Sequence, residues 1–128
     1  MSTRSAIGYM TPTGNVRAVY CHFDGHIDGI GSVGETLHEN YAAAYKVAQL
    51  VENGDISSLG TEIAKSVYYG RDRKEDDTNT KAFVSVDEFM DEFGDDFEYI
   101  YLYTRAGWTV SDNGKTFVNL ASLKIVHA

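Results

Sequence analysis

The sequence predicts an α+β fold in a single domain spanning residues 1–128: an antiparallel sheet packed on one long helix, with a second, short acidic helix. Three observations carry that prediction. Strand-like alternation falls in two blocks near the ends of the chain, a helical stripe runs through residues 33–53, and residues 85–93 join a helix-start signature to strong amphipathicity. With 128 residues, 43% hydrophobic and 23% charged, the chain has the size and composition of one globular domain and not of a disordered segment.

The elements follow in order. TRSAIGY (3–9) and VRAVYCHF (16–23) flank Thr11-Pro12-Thr13-Gly14-Asn15, which has turn chemistry, so the pair reads as an N-terminal hairpin. Within its second strand, Cys21 and His22 point to opposite faces because side chains alternate. DGHIDGIGSVG (24–34) holds four glycines in eleven positions and reads as a loop. Leu37, Tyr41, Ala44, Ala48 and Val51 then recur at helical spacing, and Gly54 after Asn53 stops the helix. Asp55 to Gly60 reads as a capped turn, and residues 62–70 as a strand or a short helix running into one. RDRKEDDTNT (71–80) is wholly polar and predicts an exposed loop.

Ser85 and Glu88 have the spacing of a capping box, in which each side chain satisfies an amide left open at a helix start. The helix of about 86–93 that follows places Val86, Phe89, Met90 and Phe93 on one face, and Asp87, Glu88, Asp91 and Glu92 on the other. Strand alternation resumes in FEYIYLYT (97–104), WTVS (108–111) and KTFVNL (115–120), with Asp112-Asn113-Gly114 as a tight reversal; this is the C-terminal three-stranded meander. Tyr99, Tyr101 and Tyr103 share one face. Ile100 and Leu102 share the other and are expected to face the core, leaving the tyrosines as a half-exposed patch or packed beneath the acidic helix.

Charge is distributed unevenly. The chain has 19 acids and 11 bases, for a formal net charge of −8. Ten of the acids lie between Glu75 and Glu98 against the single base Lys81, while the remainder holds nine acids and ten bases. A field of that sign disfavours direct nucleic-acid binding, which needs a basic footprint, and must be solvated, neutralised or matched by a basic partner. The lone Cys21 can form no internal disulfide, no run of 18 apolar residues is present, and the first residues lack a secretory stretch. These features predict a cytoplasmic protein with no membrane partner.

Three clusters could carry function. His22, Asp24, His26 and Asp28 are candidate ligands for a divalent metal such as zinc, with His38 as a further donor, and would suit a metal-dependent hydrolase. The same residues also fit a purely structural role, with His22 under the helix and Asp24 forming a turn. Gly29, Gly31 and Gly34 have G-x-G-x-x-G spacing at a helix start, which could hold phosphate with help from Arg17 or Arg71 and so sequester a small nucleotide signal. The Rossmann arrangement that normally carries this motif is not supported by the hairpin-like order of elements. Third, Asp87, Glu88, Asp91, Glu92, Asp95 and Asp96 are spaced to imitate a row of phosphates, with Tyr99 and Tyr103 as possible anchors, or simply form the wet face of a helix. No nucleophile elbow, Walker loop or H-E-x-x-H is present, so no enzyme activity is predicted.

MSTRSAIGY, VRAVYCHFDG, NGDISSLG, YYGRDR and the closing YIYLY with GW and TVS resemble a family of small tailed-phage and prophage accessory proteins. His26 stands where that family would carry an aromatic residue, which weakens a His22–His26 metal pair. The resemblance implies a counter-defence inhibitor of the anti-CRISPR kind, acting in the cytoplasm of the bacterial host without catalysis. Its partner would be a host defence protein with a basic nucleic-acid groove.

Overall fold

The computed structural model describes residues 3–126, with side chains through Leu123. Its strands are β1 (Ser5–Met10), β2 (Val16–Cys21), β3 (Ile56–Ser58), β4 (Val67–Tyr68), β5 (Lys81–Phe83), β6 (Tyr99–Thr104), β7 (Gly107–Ser111) and β8 (Val118–Asn119). The helices are α1 (Val33–Asn40), α2 (Ala44–Val51), α3 (Val86–Phe93) and α4 (Leu120–Val126), and a 3-10 turn covers Ile63–Lys65. All the strands join one sheet, in the order β4-β3-β2-β1-β6-β7-β8, with β5 alongside β2.

The expected hairpin is present, with Ile7 opposite Val19 and Gly8 opposite Ala18, and so is the meander β6-β7-β8. The sheet is nevertheless mixed, not antiparallel. β1 and β6 run parallel with Ile7 beside Tyr101, and β2 and β3 run parallel at Cys21 and Ile56. The central pair is covered on both sides, the setting in which parallel strands are found. Ile7, Val19, Tyr101 and Val110 pack beneath α1, α2 and α4, joined by Leu37, Tyr41, Val47, Leu50 and Leu120. On the reverse face Ala6, Ala18, Ile100 and Leu102 pack with Phe83 against Phe89 and Phe93 of α3. The result is a three-layer α/β/α arrangement with two cores.

The single long helix expected over 33–53 is two helices. Tyr41 leaves helical geometry at φ −128°, ψ 55°, and Ala43 is extended at φ −84°, ψ 136°. An unbroken helix would bond the Tyr41 and Ala42 carbonyls to amides four residues on. Here the Trp108 indole N–H donates to the Tyr41 carbonyl at 2.8 Å and the Tyr103 hydroxyl to the Ala42 carbonyl at 2.7 Å, while the Tyr41 hydroxyl itself donates to the Gly60 carbonyl at 2.9 Å. The sheet therefore supplies the partners that the break exposes. It also resets the helical phase: α2 buries Val47, Leu50 and Val51, whereas Ala44 is exposed and Ala48 only half-buried.

Smaller differences lie at the edges. The segment read as a capped turn contains β3, and residues 62–70 contain both the 3-10 turn and β4. The last expected strand is reduced to two residues because the Asn113 side chain holds the Lys115 and Thr116 amides at 2.8 and 2.9 Å, delaying re-entry into the sheet. Asn119 then accepts from the Ala121 amide at 2.9 Å as α4 begins. No helix among the described residues is long and apolar enough to cross a membrane.

Candidate protein-recognition surface

α3 begins where the sequence places it. Ser85 is extended and its hydroxyl accepts from the Glu88 amide at 3.2 Å, while Asp87 and Glu88 sit beside the positive end of the helix. Phe89 and Phe93 anchor the inner face: their rings lie 5.5 Å from Phe83, 5.4 Å from each other, and Phe93 lies 5.1 Å from Phe97. With that face fixed, Asp87, Glu88, Asp91 and Glu92 can only point outward. All four are exposed, as are Asp95, Asp96 and Glu98 beyond the helix. Glu92 reaches Lys81 at 3.4 Å; among the described residues none of the others forms an ion pair.

Asp87 and Glu88 suit the start of the helix, but the placement of the later charges does not serve it. The last turn of α3 carries no base, yet Asp91 and Glu92 lie there, and Asp95 and Asp96 follow directly. A helix C-terminus favours cations and disfavours anions by about 0.3–1 kcal/mol each. Glu75, Asp76 and Asp77 belong to a separate exposed loop, anchored beside the end of α2 by the Asp55 amide to the Thr78 carbonyl at 2.8 Å and by the Thr80 hydroxyl to the Val51 carbonyl at 2.6 Å.

The tyrosines are a correction. Their alternation is as expected, but it is Ile100 and Leu102 that face α3, and the tyrosines occupy the other core. Tyr101 is fully buried with its hydroxyl on the Gly25 carbonyl at 2.7 Å, and burial pushes that phenol far above its ordinary range. Tyr103 is tied to the Ala42 carbonyl, and Tyr99 packs near His26 with ring centres 6.2 Å apart. Tyr99 and Tyr103 therefore lie across the sheet from the acidic helix and do not extend its surface.

The candidate metal ligands are not gathered. Cys21 is buried among the α1/α2 core and its thiol is pushed up to about 12 by burial. His22 bonds the Tyr20 hydroxyl, on the α3 side, and is not under the long helix; His26 bonds the Thr3 hydroxyl at 2.9 Å and lies beside Tyr99, on the opposite side. Asp24 is a turn residue at φ 60°, its carbonyl accepting from the Val33 amide at 2.7 Å. Among the described residues no three His, Cys, Asp or Glu side chains, Asp28 included, converge to hold a metal ion.

The glycine loop is likewise unsuited to phosphate. Gly29 and Gly31 take positive φ, 113° and 79°, and Gly34 lies against Ile27 so closely that a Cβ would fall 2.3 Å from its carbonyl oxygen. The hollow beside the loop is lined by Glu35 and Glu39, and the Ser32 side chain already occupies the Glu35 amide at 3.1 Å. Both proposed phosphate arginines are engaged elsewhere. Arg17 makes a two-point pair with Glu52, and Arg71 lies over the Tyr68 ring at 4.5 Å while bonding Asp72 and the Ile63 and Ser66 carbonyls.

Sequence reading missed the Tyr9–Glu52–Arg17 group. The Tyr9 hydroxyl donates to Glu52 at 2.7 Å, and burial with the nearby carboxylate raises that phenol to about 12. Arg17 in turn holds the Glu52 carboxyl below its ordinary range. Tyr9 and Arg17 face one another across the hairpin and were visible as a cross-strand pair; Glu52, arriving from α2, was not. No family model, curated protein or solved structure matches this chain.

Proposed function

We propose that the protein is a non-catalytic, phage-encoded counter-defence inhibitor of the anti-CRISPR kind, acting in the bacterial cytoplasm. Its acidic face, formed by α3 and the turn after it, occupies the basic groove through which a host effector nuclease engages nucleic acid. One observation carries the reading: an outward row of carboxylates continues past the end of α3, where it opposes the helix dipole, with one ion pair among the described residues. Solubility alone would be met by acids anywhere on the surface. A row on a rigid helix, bolted down by Phe89 and Phe93, instead presents fixed charges to a complementary field and favours fast, salt-sensitive association.

The test is a competition assay. Purified CRISPR effector complexes are incubated with labelled target DNA and increasing amounts of the protein at 50 and 200 mM salt. The reading expects displacement of DNA from a susceptible effector and marked weakening of the inhibitor at the higher salt. A protein that binds an effector while DNA remains bound, or whose binding ignores salt, would refute groove occupation.

A further inference from the structure

A separate feature lies where the central parallel strands end. β1 and β6 are neighbours running in the same direction, but β1 turns back into β2 on one side and β6 into β7 on the other. The two reversals diverge, so the space beyond the carboxyl ends of the pair stays open, a position at which open sheets commonly bind ligands. α2 closes one side of it. The hollow measures about 580 Å³, within the size range of small-molecule sites, about 300–1,000 Å³.

Its walls are aromatic and largely fixed. Tyr9 is held by Glu52, and Tyr103 is held by the Ala42 carbonyl and by an edge contact with Trp108 at 5.2 Å between ring centres. Met10 and Pro12 add apolar surface, and Tyr45 projects from α2 with 71% of its surface exposed. The charge balance is the reverse of the protein as a whole. Although acids outnumber bases in the chain, among the described residues no Asp or Glu lines this hollow and Arg105 does. Among the described residues Arg105 has no carboxylate partner. Arg17, the other cation near Tyr9, is neutralised by Glu52.

We infer that this hollow is a binding site for a planar aromatic anion, its ring packed among Tyr9, Tyr45 and Tyr103 and its acidic group directed to Arg105. Fixed rings lose little freedom on binding, and a guanidinium without a partner favours an anion over a neutral analogue of the same shape. The site is independent of the acidic face of α3.

The probe is 1-anilinonaphthalene-8-sulfonate, compared with the uncharged N-phenyl-1-naphthylamine, in fluorescence titrations of the native protein at neutral pH. One sulfonate dye should bind per chain and perturb Trp108 emission through Tyr103. Arg105→Gln should weaken the sulfonate about tenfold, the scale of a lost charge-assisted bond, and leave the neutral dye unchanged. Tyr45→Ala should weaken both dyes, and Asp91→Lys neither. All three substituted side chains are exposed, so circular dichroism is expected to confirm the native fold. Non-stoichiometric dye uptake, or a sulfonate affinity indifferent to Arg105→Gln in the folded protein, would overturn the inference.

Discussion

The two faces of the sheet are built on different principles. Beneath α1 and α2 the aromatic residues of the core are tyrosines and a tryptophan, and their polar tips end on backbone carbonyls of Tyr41, Ala42, Gly25, Leu50 and Gly60. Beneath α3 the packing is dry: phenylalanine rings lie on alanine and aliphatic side chains. The first face holds irregular chain, a broken helix and a glycine-rich loop, and so needs donors wherever carbonyls are left open. The second holds a regular helix whose backbone is self-satisfied, and needs only apolar volume. Irregular structure is fixed by directional bonds, whereas the displayed helix is fixed by burial.

Substitutions should separate the two. Phe89→Ala removes a fully buried ring from the dry face and should cost about 3–5 kcal/mol in urea unfolding. Gly34→Ala, on the other face, forces a Cβ into the Ile27 carbonyl, and should lower the melting temperature by an amount comparable to a core deletion because backbone has to move. Tyr101→Phe keeps the ring and removes the hydroxyl that bonds the Gly25 carbonyl, costing about 1–3 kcal/mol by the same unfolding measurement. Beneath α3 the fully inward residues are alanine, valine, isoleucine, leucine and phenylalanine, so a truncation among them removes apolar volume and no bond.

The smallest effect concerns Glu52. Its carboxyl is held below the ordinary range by Arg17, so the pair stabilises the fold above the carboxylate's unfolded pKa, about 4.3, and that contribution disappears as pH falls through the lower folded value. The side chains are more than a third exposed, and the contribution is about 1 kcal/mol or less. Glu52→Gln should therefore lower stability slightly at pH 7 and converge with the native protein once the pH has fallen well below the ordinary carboxylate range. A difference that persists unchanged at that pH would assign the effect to packing instead.

What could be read from the sequence divides along the same line. α3 was legible to the residue, because Ser85, Glu88 and the Phe89/Phe93 spacing are local signals that tertiary structure did not override. Period-two alternation showed that Tyr99, Tyr101 and Tyr103 share a face, but alternation cannot say which face meets which helix, and both sides proved to be covered. The parallel pairing of β1 with β6 joins residues more than 90 positions apart, and nothing local records it. Tyr41 fits a helical stripe whether or not the helix continues; the break depends on Trp108 and Tyr103 arriving from the sheet. β3 and β5, three residues each, have too little pattern to announce themselves and exist as additions to the edge of β2. Of the candidate clusters, the carboxylates of α3 and the turn after it are exposed, as amphipathic spacing implied for either of their readings, while His22 and His26 were drawn to opposite sides of the sheet.

The acidic row therefore has one decisive measurement. Asp91→Lys, Asp95→Lys and Asp96→Lys combined place bases where the α3 dipole favours them, leaving the Glu92–Lys81 pair and the buried rings intact. Melting temperature and inhibition of effector cleavage are then recorded on the same sample. If those carboxylates are there to be recognised, the variant melts no lower than the native protein and loses inhibition; a folded variant that inhibits as well as the native chain would contradict the account.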